Sequence, residues 1–198
     1  VDYKFSVVQK ALFAENEWSM TDSFSLTTGI RMDDNEFFGR HWTPRFYGVW
    51  KLNADWTLKG GVAKGFKSPT ITQTNPNIGL PQRGGAYTWG NRDLKPEESE
   101  NREIGLYYDA GEQFSGNITL FDTDYENKIA NTGTRQLYYP DGSPVPPDPV
   151  TGRIYSTYFN ITGATVRGIE TAARYRFNDQ VQVKGEYTYL DSKVSSGD

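Results

Sequence analysis

Between Phe24 and Asp33 the chain alternates strictly. Phe24, Leu26, Thr28, Ile30 and Met32 fall on one side, and Ser25, Thr27, Gly29, Arg31 and Asp33 on the other. A period of two sorts the faces of a strand and of no helix. The pattern recurs. Phe46, Gly48, Trp50 and Leu52 oppose Arg45, Tyr47, Val49 and Lys51; Ile104, Leu106 and Tyr108 oppose Glu103, Gly105, Tyr107 and Asp109; Ile118 and Leu120 oppose Asn117 and Thr119. Ile169, Thr171, Ala173, Tyr175 and Phe177 oppose Glu170, Ala172, Arg174 and Arg176, and Val181, Val183, Gly185, Tyr187 and Tyr189 oppose Gln182, Lys184, Glu186 and Thr188. With further strands over Phe5–Ser19 and Trp56–Phe66, the spacing predicts about eight antiparallel strands.

Composition agrees. The 13 Tyr, 11 Phe and 5 Trp suit a pleated surface, while long aliphatic runs are missing and the mean hydropathy is -0.69. No stretch reaches the roughly eighteen apolar residues of a membrane helix. Barrel strands, which alternate, escape that test. A net charge of -4 argues against a nucleic-acid partner. With no cysteine there is no disulfide, thiol nucleophile or thiolate metal site.

The connections sort by end. Turns near Asp22, Ala54, Glu112 and Asp179 (the last a two-residue turn at Asn178-Asp179) are short. At the other end one brief link, Asn35–Arg40, is followed by two long loops, about 68–98 and 130–157. Short turns on one side and long loops on the other are the pattern of outer-membrane barrels. Trp18, Trp42, Trp56, Phe114, Tyr125 and Phe177 gather at strand ends, as interfacial girdles require. The reading is all-β: an antiparallel up-and-down transmembrane barrel segment with short periplasmic turns and long extracellular loops, in a bacterial outer membrane. Glu170, Arg174, Arg176, Lys184 and Glu186 put mixed charge on one face, which suits a water-filled lumen and equally a solvated surface.

Long loops without regular pattern concentrate function or disorder. The first carries Arg83, Tyr87, Trp89 and Arg92; the second carries Arg135, Tyr138, Tyr139, Arg153 and Tyr155, with Tyr158 just beyond. Prolines at 140, 144, 146, 147 and 149 favour turns and extended segments in the second. Asp122-Thr123-Asp124-Tyr125-Glu126 starts like a calcium loop, but Asn127 stands in place of the required Gly and Gly133 in place of the closing Glu.

Gly65-Phe66-Lys67-Ser68-Pro69, then Gly90-Asn91-Arg92-Asp93-Leu94-Lys95-Pro96-Glu97, Glu103-Ile104-Gly105, Asn127-Lys128-Ile129 and Val166-Arg167-Gly168-Ile169-Glu170 occur in that order. This series resembles the barrel of TonB-dependent outer-membrane receptors, nearest in look to ferric-catecholate and colicin receptors. Ala11–Trp18 and Gly29–Asp34 extend the resemblance to nearly the whole chain. Arg92 stands where the family usually has proline.

The resemblance implies that residues 1–198 are part of one receptor barrel of ~22 strands, with signal peptide, plug and barrel C-terminus lying elsewhere. It implies uptake of a ferric siderophore, of catecholate type, energised by TonB through the plug. Further partners implied are outer-membrane lipid and lipopolysaccharide, and colicin or phage. No enzymatic activity, resident cofactor or metal site is implied. A ferric catecholate is anionic and flat-ringed, so Arg83, Tyr87, Trp89, Arg92, Arg135, Tyr138, Tyr139, Arg153 and Tyr155 are the expected ligand-binding residues.

Other readings stand beside it: a small eight-stranded outer-membrane barrel of structural or adhesive role, a haem or cobalamin receptor of the same family, and a soluble lipocalin-like binder. Haem asks for an axial histidine, and His41, the one histidine, sits at a short connection as a rim residue. A hydrolase would need a nucleophile motif with a placed histidine, and none is present.

Overall fold

The computed structural model describes residues 6–81, 87–132, 143, 144, 146, 147, 152 and 155–195. Eight long strands carry the fold: β1 (Gln9–Ser19), β2 (Phe24–Asn35), β3 (Gly39–Lys51), β4 (Trp56–Lys67), β7 (Glu97–Asp109), β8 (Phe114–Asn131), β9 (Tyr155–Arg176) and β10 (Gln182–Ser195). Each pairs antiparallel with the next, and the sheet is open, with β1 and β10 each holding one neighbour. The first long loop adds three short elements: α1 (Ile71–Thr74), β5 (Gly79–Pro81) and β6 (Tyr87–Trp89).

The four short turns share one device, a side-chain oxygen that accepts backbone N–H groups two or three residues on. Thr21 Oγ1 takes the N–H groups of Ser23 and Phe24, and Asn53 Oδ1 those of Asp55 and Trp56. Asp109 Oδ1 takes that of Gly111, whose φ of 74° favours glycine. Asn178 Oδ1 takes those of Gln180 and Val181, each at 2.9 Å. That last turn is longer than the two-residue turn expected, because Phe177 N–H already bonds Val181 O and the strands stop at Arg176 and Gln182.

Register carries the alternation across the sheet. Gly60, Ile104, Leu120, Ile169 and Tyr189 form one continuous rung, and Leu58, Leu106, Ile118, Thr171 and Tyr187 the next. Most large side chains of these rungs stand in the open, with Ile104 51% and Leu120 47% exposed, while Leu58 and Leu106 are half-buried. Among the described residues Leu94 is the one buried hydrophobic. A water-soluble fold would place such a band inside; an apolar band facing outward needs lipid as its solvent. The opposite face holds Arg31, Arg45, Lys59, Glu103, Glu170, Arg174, Lys184 and Glu186, with Arg174 directly opposite Lys184.

At the short-turn end aromatic rings pack in sequence: Trp56 with Tyr108 at 4.6 Å, Tyr108 with Phe114 at 5.8 Å, and Tyr175 with Phe177 at 4.7 Å. Trp18, and Trp42 nearer the other end, are exposed. Tyr125 departs from the expected girdle. Its rung partners are Ser99 and Ala164, on the face opposite Ile118 and Leu120, and the Lys128 ammonium sits 4.6 Å over its ring.

Two boundaries also move. The first strand starts at Gln9, later than Phe5. β8 ends two residues past the expected loop boundary, and β9 starts at Tyr155, well before the alternation that begins at Ile169, because Lys128–Asn131 pair rung by rung with Tyr158–Ile161. The calcium-like segment is plain strand: Asp122 and Asp124 lie on one face of β8, accepting from Arg167 Nε at 2.6 Å and Thr165 Oγ1 at 2.8 Å.

Candidate functional site: the long-loop end

The last rung of the β4–β7 ladder is Lys67 opposite Glu97. Lys67 Nζ lies 2.7 Å from Glu97 Oε2, the other carboxylate oxygen accepts the Ile129 N–H at 2.9 Å, and Lys128 Nζ lies 3.9 Å away. Burial pushes this carboxyl upward, but Lys67, the Ile129 N–H and Lys128 outweigh it and hold it below the usual glutamate range.

The loop leaves this anchor as built structure. Thr70 and Gln73 form a capping box at the start of α1. Gly90 then lies directly on the Asn75 backbone, where a Cβ would meet three main-chain atoms, and Asn91 N–H bonds Gln73 O at 2.7 Å. β5 and β6 pair antiparallel, with the Trp89 indole over Gly79. β6 in turn pairs parallel with the start of β9, matching Tyr87 with Tyr155, Thr88 with Ser156 and Trp89 with Thr157. The Thr88 and Ser156 hydroxyls bond each other, and both residues are fully buried. Thr157 Oγ1 adds a bond to Trp89 O at 3.2 Å.

Three of the expected ligand residues are thereby brought together. Trp89 stands 6.3 Å from Tyr87 and 6.4 Å from Tyr155, ring centre to ring centre, so one cluster draws on both long loops. The Trp89 Nε1 donor is buried and has no hydrogen-bond partner among the described residues. Arg92, three residues further, is exposed. Tyr158 is half-buried, and its carbonyl is held by Asn91 Nδ2 at 2.9 Å. Arg83, Arg135, Tyr138, Tyr139 and Arg153 lie outside the described residues.

Asn91, Glu97, Thr88, Ser156 and Asn160 are the residues that hold this cluster, and sequence reasoning missed their part. Asn91 and Glu97 do lie in the Gly90–Glu97 motif, a signal that could have found them. Thr88 and Ser156 belong to short polar segments that give none.

His41 is occupied. Its Nε2 lies 2.9 Å from Phe38 O, its Nδ1 3.4 Å from Glu98, and its ring stacks on Phe66 at 3.9 Å. It sits where the β3–β4 ladder has ended, at Arg45 opposite Ala63. A cleft of about 420 Å³ opens there, with Lys64, Glu100 and Arg102 on its walls.

An open antiparallel sheet with an outward apolar band, a charged opposite face, short turns at one end and structured loops at the other defines an outer-membrane β-barrel. The family model described as TonB dependent receptor-like, beta-barrel matches residues 2–198, and the chain belongs to this family of outer-membrane receptors. Among its relatives, the iron-regulated outer membrane virulence protein of Vibrio cholerae serotype O1 is 36% identical over 193 residues, 97% of this chain and 28% of that protein. The ferrienterobactin receptor of Escherichia coli K12 is 35% identical over 188 residues, 91% of this chain and 24% of that protein. The crystal structure of the siderophore receptor PirA from Pseudomonas aeruginosa superposes with a TM-score of 0.79 at 26% identity, covering 94% of this chain and 34% of that one. The chain thus spans about a quarter of the length of the curated relatives it matches.

Proposed function

We propose that the receptor containing this barrel segment takes up a ferric siderophore of the catecholate class across the outer membrane, driven by TonB. One observation carries the reading: Tyr87, Trp89 and Tyr155, from two separate loops, meet at the long-loop end. A ferric catecholate presents flat rings and a net negative charge. The clustered aromatic side chains answer the first, and the exposed Arg92, on the segment that follows Trp89, answers the second. The names of the relatives support the siderophore class. Haem is the weaker reading, since both ring nitrogens of His41 already have partners.

The test is tryptophan fluorescence of the full-length receptor in detergent, titrated with a ferric catecholate, a ferric hydroxamate, haem and cobalamin. Saturable quenching by the ferric catecholate alone is the expected result. Quenching by haem or cobalamin alone reassigns the cargo, and no response to any of them removes the reading.

A further inference from the structure

The aromatic cluster is held in place by contacts that run along the upper part of β9. Beyond its last rung with β10, Gly163 opposite Ser195, β9 is joined instead by the first long loop. At alternate β9 positions the loop is tied down: Thr88 to Ser156 by hydroxyls, Asn91 to the Tyr158 carbonyl, and Lys95 to Asn160. Asn160 makes the most of these ties. Its Oδ1 accepts the Lys95 N–H at 2.8 Å, and its Nδ2 donates to Lys95 O at 2.9 Å. One side-chain amide thus copies the paired bonds of a strand rung. The same Nδ2 also donates to the carbonyl of Asn127, a residue in left-handed backbone with φ of 53°. Loop, β8 and β9 therefore converge on a single amide.

On the siderophore reading above, we infer that Asn160 is a positioning residue for ligand capture. It clasps the first long loop to β8 and β9, so that Trp89 is already beside Tyr155 before the ligand arrives. A cluster assembled in advance spares the ordering cost that binding would otherwise carry. Asn160 needs no contact with the ligand for this. The two long loops then behave as one body at their bases.

The experiment uses the full-length receptor in detergent with ferric catecholate as the probe. Cysteines at Thr88→Cys and Ser156→Cys, whose side chains face each other, report the clasp by the fraction that forms a disulfide under mild oxidation. With Asn160 intact the disulfide is expected to form in most molecules, and the affinity of this oxidised Cys pair is the reference for the variants that follow. Asn160→Ala is expected to lower affinity roughly ten-fold, the weight of one or two lost hydrogen bonds, and to lower the disulfide yield. Oxidising the Cys pair in the Asn160→Ala background should restore affinity, and reduction should remove it again. Should Asn160→Ala fold poorly, Asn160→Ser keeps a small polar side chain that cannot span to Lys95 and Asn127, and the same loss and rescue are expected.

A loss that the disulfide does not restore would make Asn160 a ligand contact or a folding residue and overturn the proposal. So would unchanged affinity, or a disulfide that never forms with Asn160 in place. Failure of the parent to bind any ferric catecholate removes the siderophore reading instead, and the disulfide yields still report on the clasp.

Discussion

Lys67 and Glu97 meet at 2.7 Å across the last rung of β4 and β7, and the second oxygen of the same carboxylate accepts the Ile129 N–H from β8. One side chain therefore joins three strands where the first long loop departs. The carboxyl is held below the usual glutamate range by partners that outweigh its burial. Its contribution to stability is fully present above the ordinary glutamate pKa and is lost as pH falls through the lowered folded-state value. The protection factor of the Ile129 amide, corrected for the intrinsic exchange rate, should fall on acidification through that window. In Glu97→Gln, which retains an acceptor but no charge, the pH dependence should vanish; an unchanged profile would remove Glu97 as its source.

Trp89 is the centre of the aromatic cluster. Trp89→Leu should weaken ferric catecholate binding by about ten-fold, the weight of ~1–1.5 kcal/mol of ring contact. Arg92→Gln should weaken it by less, and its effect should fade as salt rises. Titrations of the full receptor at low and high ionic strength separate the two.

The outward face predicts an asymmetry between neighbours. Ile104→Lys places a charge in the apolar band and should destabilise the folded receptor by about 2–4 kcal/mol. Thr119→Lys, on the opposite face in register with Gly105, should cost far less. Urea unfolding in lipid vesicles measures both, and equal costs would contradict the assignment of faces.

Gly90 leaves no room for a side chain against Asn75. Gly90→Ala should force the loop off α1 at a cost of ~1–3 kcal/mol, confined to the loop. Barrel folding, read by gel mobility before and after heating, should be unchanged, while ligand affinity falls.

The strands were legible where one face meets lipid and the other water, because that contrast writes the alternation. Phe24–Met32 and Ile169–Tyr175 are such stretches. Tyr155–Arg167 hid, because a strand standing beyond the apolar band needs no apolar face: Thr157, Asn160, Thr162 and Thr165 give it polar residues on both sides. The site was half legible. Trp89 and Tyr155 declare their chemistry by type, but their meeting depends on a parallel pairing of three-residue segments far apart in sequence, too short for any periodicity. Asn160, by its type an ordinary polar strand residue, declares nothing in sequence, and its side chain is a structural clasp.

The wall between β3 and β4 is hydrogen-bonded only as far as Arg45 and Ala63, and past that point the rings of His41 and Phe66 fill it. Backbone pairing is indifferent to side-chain identity; a plug made of two rings is not. Phe66→Ala would remove one wall of the cleft that opens beside this seam. Past that point the two strands thus hold to each other by the packing of two rings and no longer by their backbones.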